Sequence, residues 1–193
     1  MKIRNIIIAV FILSNFSVQS QLLPSILCKT SLGEIIIEID TIHAPVTAKN
    51  FLTQVIKGTY KNAFFYRVVN MNNQPQNKIK IEVIQGGLLD DSEIKLIPAI
   101  IHETTKQTGL KHLDGTISMA RDKPGTASTE FFICIGDQPE LDFGGKRNPD
   151  GQGFAAFGRV KKGMDVVRKI QQQKDTNQML NTPVKILEMK IIE

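Results

Sequence analysis

Two short apolar segments separated by a polar loop constrain the fold of this chain most strongly. Thr116–Ala120 and Phe131–Ile135 flank the loop 124–129, Pro-Gly-Thr-Ala-Ser-Thr, which is the pattern of two strands joined by an irregular turn. With the two-residue period of a strand, the odd-numbered residues of the second segment share one face, which we expect in the core. Glu130 and Phe132 fall on the opposite face, on a surface patch or the wall of a groove.

The composition fits a single soluble globular domain. The chain has 193 residues, of which 41% are apolar and 22% charged, and this is enough for one sizeable core. Its cations are spread along the sequence, and the longest local cluster is Lys161-Lys162. Nucleic-acid-binding proteins concentrate Lys and Arg in runs or on one face. We therefore expect no nucleic-acid partner.

The N-terminus has the pattern of a secretory signal peptide. Lys2 and Arg4 precede the apolar run Ile6–Leu13. This run is too short to span a bilayer, which needs about 20 apolar residues. The sequence predicts cleavage of residues 1–20, so that residues 21–193 form an exported protein, periplasmic or secreted, without stable membrane insertion. A buried N-terminal strand or an uncleaved anchor is the alternative interpretation.

The two cysteines, Cys28 and Cys134, both lie in predicted strands. Oxidation is possible in an exported protein. Strand cysteines also commonly serve as small buried hydrophobic residues. The sequence permits both a disulfide and two free thiols.

Most of the remaining apolar segments predict strands, and two predict helices. A helix is expected over 44–58, where Pro45 suits the first turn and Gly58 the residue after the end, and a second over 164–173. Further strands are predicted at 26–30, 34–40, 64–69, 154–160 and 184–192. Many strands with only two helices indicate an all-β barrel with capping helices.

One predicted strand, Phe64–Val69, contains an arginine among apolar residues. Strict alternation would place Phe65, Arg67 and Val69 on the same face. Burying an unpaired guanidinium is costly. Arg67 is therefore expected either at a sheet edge with its charge in water or held over a groove.

No pattern typical of a metal, nucleotide or covalent catalytic site is found. His102-Glu103 lacks the second histidine of the zinc-protease pattern, and His102 and His112 are predicted to be loop residues. The Asp- and Gly-rich segment 142–153 lacks the alternating acids of an EF-hand and the strand-to-helix context of a dinucleotide site. We predict no metal, no cofactor and no Ser/His/Asp or Cys/His catalytic arrangement.

Four segments, in order, resemble the cyclophilins, a family of peptidyl-prolyl cis-trans isomerases. They are Phe64–Val69, Val83–Gly87, the central motif from Ile117-Ser-Met-Ala to Phe131-Phe-Ile, and Phe154–Val160 with Gly163–Val167. The resemblance covers the chain from Ile26 to the end. It implies a closed eight-stranded antiparallel β-barrel capped by two α-helices, acting as a monomer on Xaa-Pro bonds. Together with the predicted signal peptide, this indicates exported, folding polypeptides as substrates.

Carried over to this sequence, the resemblance implies a groove in which Arg67, Gln85 and Phe132 are catalytic. A permanently charged guanidinium can donate to a twisted amide without changing its protonation state. Phe132 offers an apolar wall for proline, and Gln85 bonds the peptide backbone or orients Arg67. The implied substrate-binding residues are Val83, Met119, Ala120, Arg121, Glu130, Leu141 and Phe154.

Several groove positions depart from the family's usual residues. They are Glu130 in place of glutamine, Glu140 in place of an aromatic, Phe154 in place of histidine or tyrosine, and Glu82-Val83 in place of Phe-Met. Glu130 is expected either to pair with Arg67 or Arg121, or to face water as an ordinary strand glutamate. The alternative function is a catalytically weak peptide-binding or chaperone module on the same barrel.

Overall fold

The computed structural model describes residues 22–192, and the predicted signal peptide lies outside this range. The strands are β1 (Ser25–Thr30), β2 (Gly33–Ile39), β3 (Phe64–Val69), β4 (Val83–Gly87), β5 (Thr116–Met119), β6 (Phe131–Cys134), β7 (Ala155–Lys162), β8 (Asp175–Thr176) and β9 (Met179–Ile192). The helices are α1 (Pro45–Ile56), α2 (Asp91–Ile94), α3 (Thr105–Thr108) and α4 (Met164–Gln171), with 3-10 turns at Thr59–Asn62 and Pro139–Leu141.

Antiparallel pairing closes the sheet into a barrel. Eight strands follow one another in the order β1-β2-β7-β5-β6-β4-β3-β9, and β9 pairs back with β1. The short β8 only forms a hairpin with the beginning of β9. The closed eight-stranded barrel predicted from the sequence is confirmed, and within residues 22–192 closure leaves no long unpaired edge.

The two predicted helices correspond to α1 and α4, whose apolar residues join the main core. Phe51 of α1 packs against Phe131 and Phe157, with ring centroids 5.4 and 5.0 Å apart, and Val167 and Ile170 of α4 are fully buried. The long connection 88–113 contains only the single-turn helices α2 and α3. None of the helices among residues 22–192 combines the length and the apolar character needed to cross a bilayer.

Glu103 stabilises the start of α1. Ala44, the residue before the helix, offers no side-chain cap. The Glu103 carboxylate instead accepts hydrogen bonds from the backbone N–H groups of Val46 (3.1 Å) and Thr47 (2.7 Å). These are among the helix N–H groups that have no partner within the helix, and a carboxylate also suits the positive end of the helix dipole.

A second apolar cluster lies on the side of the barrel wall opposite the main core. This groove-side cluster consists of Val69, Ile81, Val83, Phe132, Cys134 and Leu141, with Ala120 and Phe154 packed against it. Alternation along β6 explains the division, because Phe131 and Ile133 belong to the main core. Cys28 belongs to the main core and Cys134 to the groove-side cluster, and both are free thiols.

Candidate functional site

An open cavity of about 560 Å³ lies over the groove-side cluster. Nine of the ten predicted groove residues line it: Arg67, Val83, Gln85, Ala120, Arg121, Glu130, Phe132, Leu141 and Phe154. Met119 does not. Its side chain is fully buried in the main core, because it shares a strand face with Ile117.

A bulge in β3 determines which of its side chains reach the cavity. The pairing register of β3 with both β4 and β9 shifts between Phe65 and Arg67. Phe65 and Val68 therefore both lie in the main core, whereas Tyr66 and Arg67 both line the cavity. The predicted strict alternation, with Phe65 and Arg67 on one face, is wrong at this point.

Arg67 is held over the cavity by two glutamine side chains. Its Nη1 donates to Gln85 Oε1 at 2.8 Å, and its Nε and Nη2 donate to Gln178 Oε1 at 3.2 and 2.5 Å. Three of the five guanidinium N–H groups are used in this way, which leaves one on each terminal nitrogen for a ligand. Burial lowers the pKa of Arg67 from its ordinary value. The arginine thus lies over a groove and not at a sheet edge in water.

Gln85 is oriented in turn by Tyr66 and Glu130. Its Nε2 donates to the Tyr66 hydroxyl oxygen at 2.8 Å, and that hydroxyl donates to the Glu130 carboxylate. Because the amide nitrogen faces Tyr66, the amide oxygen of Gln85 is the group presented to Arg67. A continuous chain of hydrogen bonds therefore runs from Glu130 to the guanidinium.

The predicted pairing of Glu130 with Arg67 or Arg121 is wrong. Among residues 22–192 the carboxylate forms no ion pair with either arginine. It accepts instead from the Tyr66 hydroxyl and, at 2.7 Å, from the Leu88 backbone N–H. Burial raises the pKa of Glu130, although these hydrogen bonds oppose the rise. The alternative, a water-facing glutamate, is also wrong because the side chain is only partly accessible.

Arg121 supports the cavity wall. Its Nη1 and Nη2 donate to the two carboxylate oxygens of Asp150 at 2.8 and 3.0 Å, and its Nε donates to the Gly153 carbonyl at 2.9 Å. The guanidinium also lies 5.1 Å from the centre of the Phe154 ring. The hydrogen bonds from Arg121 lower the pKa of Asp150. Only 1% of the Arg121 side chain is exposed, so these contacts fix it within the wall.

Phe132 forms a rigid apolar wall of the cavity. Its ring meets Phe154 edge to face at 5.2 Å and stacks on His112 with the planes 14° apart. Only 4% of Phe132 is exposed. A side chain packed on both sides in this way has little freedom to leave its position.

His112, predicted only as a loop residue, belongs to a buried polar network behind Phe132. Its Nδ1 lies 2.8 Å from Asp142 Oδ1 and its Nε2 lies 3.0 Å from Ser118 Oγ. Ser118, His112 and Asp142 therefore form a hydrogen-bonded group that the sequence analysis did not identify. Ser118 has no exposed surface, however, so its hydroxyl cannot reach a substrate. Burial alone would raise the pKa of Asp142, but the hydrogen bonds from His112 outweigh this effect, so the pKa lies below its ordinary value.

Other cavity residues escaped the sequence analysis. Tyr66, Ile81, Arg147 and Met179 all line the cavity. Arg147 reaches it from a loop, where its Nη1 donates to the Ile79 carbonyl at 2.6 Å. A contact of this kind leaves no periodic pattern in the sequence. Of these four residues only Tyr66 could have been found from the sequence, because it precedes Arg67 in the motif Phe-Phe-Tyr-Arg. Residues 22–192 contain no group of three His, Cys, Asp or Glu side chains placed to bind a metal ion.

Comparison with known proteins agrees with this geometry. The family described as "Cyclophilin type peptidyl-prolyl cis-trans isomerase/CLD" matches residues 25–191. Peptidyl-prolyl cis-trans isomerase A of Dickeya dadantii is 35% identical over 175 residues, covering 87% of this chain and 84% of that protein. Peptidyl-prolyl cis-trans isomerase B of Escherichia coli K12 is 35% identical over 150 residues, covering 74% and 80%.

Solved structures show the same fold. The crystal structure of a cyclophilin-type peptidyl-prolyl cis-trans isomerase from Cryptosporidium parvum has a TM-score of 0.68 at 22% identity, covering 89% of this chain and 98% of that one. A second structure of that protein, in the presence of the dipeptide Ala-Pro, has a TM-score of 0.67 and covers 88% and 99%. The family match over most of the chain and the identities of the bacterial relatives lead to one assignment: the chain belongs to the cyclophilin-type peptidyl-prolyl cis-trans isomerases.

Proposed function

We propose that this isomerase accelerates rotation about Xaa-Pro bonds non-covalently, through Arg67 and the apolar wall at Phe132. The observation that carries the proposal is the placement of a guanidinium, fixed on two sides, beside an apolar surface in one cavity. The barrier to rotation is about 18–20 kcal/mol because the amide is conjugated. A catalyst that favours the twisted, unconjugated amide lowers this barrier without a nucleophile or a metal.

The groove supplies both of the interactions that such catalysis needs. Phe132, Leu141 and Val83 offer an apolar surface for the proline ring. The remaining N–H groups of Arg67 donate to the amide as conjugation is lost, where a fixed donor is most effective. The relative from Cryptosporidium parvum was solved in the presence of Ala-Pro. We extend that ligand class, a residue followed by proline, to this cavity.

The test is the cis-to-trans rate of Xaa-Pro peptides with residues 21–193. We expect acceleration by the wild type and a loss of about 100-fold in kcat/KM for Arg67→Ala, the scale seen when a fixed donor is removed from an active site. Arg159→Ala is the matched control, because Arg159 is exposed and pairs with Glu38 at the surface. It should keep wild-type activity.

A folded wild-type protein without acceleration would instead support the peptide-binding module. Titration of the same peptides then distinguishes the two functions. Binding without catalysis would show that the groove retains recognition alone. Acceleration that survives in Arg67→Ala would place the catalytic donor elsewhere and reject the role proposed for Arg67.

We propose further that the substrates are exported, folding polypeptides. The proposal is supported by the cationic start and short apolar run of residues 1–20. Expression of the full chain in a bacterium with a periplasm should yield a product beginning at Gln21 in the periplasmic fraction. Ile8→Asp, which interrupts the apolar run, should keep the full-length chain in the cytoplasm. Uncleaved wild-type protein in the cytoplasm would contradict the proposal.

A further inference from the structure

The turn between β8 and β9 has an unusual residue at its second position. Thr176 pairs with Met179, so the loop consists only of Asn177 and Gln178. Both have positive φ, 53° and 73°, which is the pattern of a type I′ turn. Such turns favour Asn-Gly, because glycine alone adopts this conformation without steric cost. Asn177 fits that preference and Gln178 does not.

The side chain of Gln178 makes contacts that glycine could not make. Its Oε1 accepts from Nε and Nη2 of Arg67, at 3.2 and 2.5 Å, and its Nε2 donates to the Asn73 carbonyl at 3.1 Å. The bond to Asn73 fixes which way the amide points, with its oxygen towards the guanidinium. Its backbone carbonyl accepts from the Val68 N–H at 2.8 Å, which ties the turn to β3 next to Arg67.

Gln178 complements the contact that Gln85 makes on the other side of the guanidinium. Gln85 bonds Nη1 alone, at 2.8 Å, and a single contact leaves the group free to swing about it. Gln178 holds the opposite edge through two nitrogens. Together they define the plane of the guanidinium and therefore the direction of the N–H groups that face the cavity. Strained backbone conformations occur at functional sites, where the surrounding structure holds them in place.

We propose that Gln178 is a positioning residue for Arg67, and that a strained turn is retained because its side chain fixes the guanidinium over the cavity. The role in catalysis rests on the proposed isomerase function. The positioning itself is a structural property and can be measured without activity.

The first experiment compares Gln178→Gly with the wild type by thermal unfolding and by NMR of the Arg67 side chain. Glycine suits the turn, so we expect an unchanged or higher melting temperature. The Arg67 Nε–H signal should lose its protection from exchange with water, because its acceptor is gone. Asn177→Gly, the matched change one residue earlier, should leave that signal as in the wild type. Wild-type protection of the Nε–H in Gln178→Gly would overturn the proposal.

The second experiment measures kcat and KM for an Xaa-Pro peptide. We expect Gln178→Gly to lower kcat by roughly tenfold, as for a misplaced catalytic group, with a smaller effect on KM. In the Arg67→Ala background the same change should have no further effect. Equal losses with and without Arg67 would show that Gln178 does not act through it.

Two further results distinguish the positioning role of Gln178 from an effect on stability and from the isomerase function itself. Gln178→Glu retains an oxygen acceptor, so it should restore the Nε–H protection even if Gln178→Gly proves less stable than expected. A wild type that lacks isomerase activity would reject the proposed function, whereas the NMR comparison would still decide whether Gln178 positions Arg67.

Discussion

Burial of the Glu130 carboxylate links the stability of the protein to pH. Its pKa in the folded state is raised above the ordinary value of 4.5, first because of burial. A carboxyl group with a raised folded-state pKa costs no stability while both states are protonated. It becomes destabilising as the pH rises from the unfolded-state pKa through the folded-state pKa. We therefore predict that the free energy of unfolding of the wild type, relative to Glu130→Gln, falls across this window and is constant above it.

Urea unfolding of both proteins, repeated from pH 4 to pH 8, measures this difference. Tyr66→Phe is an informative companion, because it removes a hydrogen bond that lowers the pKa of Glu130. In that variant the window should extend to higher pH. A difference between wild type and Glu130→Gln that does not vary with pH would mean that the carboxylate is as well solvated in the folded as in the unfolded chain.

The geometry of Arg67, and not its charge alone, is expected to determine activity. A lysine ammonium at this position is a compact charge that cannot bridge Gln85 and Gln178 as the planar guanidinium does. We predict that Arg67→Lys loses nearly as much kcat/KM as Arg67→Ala, about 100-fold. The rate of Xaa-Pro isomerisation measures this. If the lysine variant kept most of the wild-type rate, a positive charge in the cavity would be sufficient.

At the scale of the elements, the end of β4 places a glycine against the carboxylate that orients Gln85. Gly87 has φ of +151°, and a Cβ at this position would overlap the carboxylate of Glu130. We predict that Gly87→Ala loses about 1–3 kcal/mol of stability from overpacking against Glu130, in addition to the strain of the positive φ, together with isomerase activity. Denaturant unfolding and the isomerisation rate measure the two effects.

Gly125→Ala is the control for the backbone conformation. Gly125 also has a positive φ, +81°, but nothing lies within 4 Å of the position of its added Cβ. It should lose only about 1–2 kcal/mol, the cost of the left-handed conformation for a residue with a Cβ. Equal losses at the two glycines would show that the contact with Glu130 contributes nothing beyond backbone strain.

Most elements of the barrel could be predicted from the sequence because apolar residues recur with one period in strands and with another in helices. Seven of the barrel strands and both longer helices follow from spacing in short segments, whereas β4 and the groove residues follow from the order of the four family motifs. The bulge in β3 has no such signal, since Phe64–Val69 is apolar on both faces apart from Arg67. The partners of the site lie far apart in the chain, with a sequence separation of 64 for Tyr66 and Glu130 and of 111 for Arg67 and Gln178. Local patterns carry no information on such contacts.

For the molecule as a whole, closure of the barrel divides the interior from the groove, and the two cysteines lie on either side of this wall. Cys28 in β1 is paired with Ile35 of β2 and Met189 of β9, within the main core. Cys134 in β6 lies in the groove-side cluster together with Leu141. Burial raises the pKa of Cys28 to about 12, and burial also raises the pKa of Cys134. Neither thiol can react with an alkylating reagent until the structure opens.

Because the barrel wall separates the two cysteines, we predict that different opening motions make their thiols accessible. Exposure of Cys28 requires β1 to separate from β2 and β9, which opens the barrel, so its labelling should follow global unfolding. Cys134 shares its cluster with Leu141, which belongs to the 3-10 turn Pro139–Leu141 and not to the barrel, so we expect local opening of this turn to expose Cys134. We therefore predict faster alkylation of Cys134 than of Cys28 under native conditions, and equal rates in denaturant. Peptide mapping after timed labelling with iodoacetamide measures both. Native rates that are equal for the two thiols would mean that the groove-side cluster opens only when the whole barrel does.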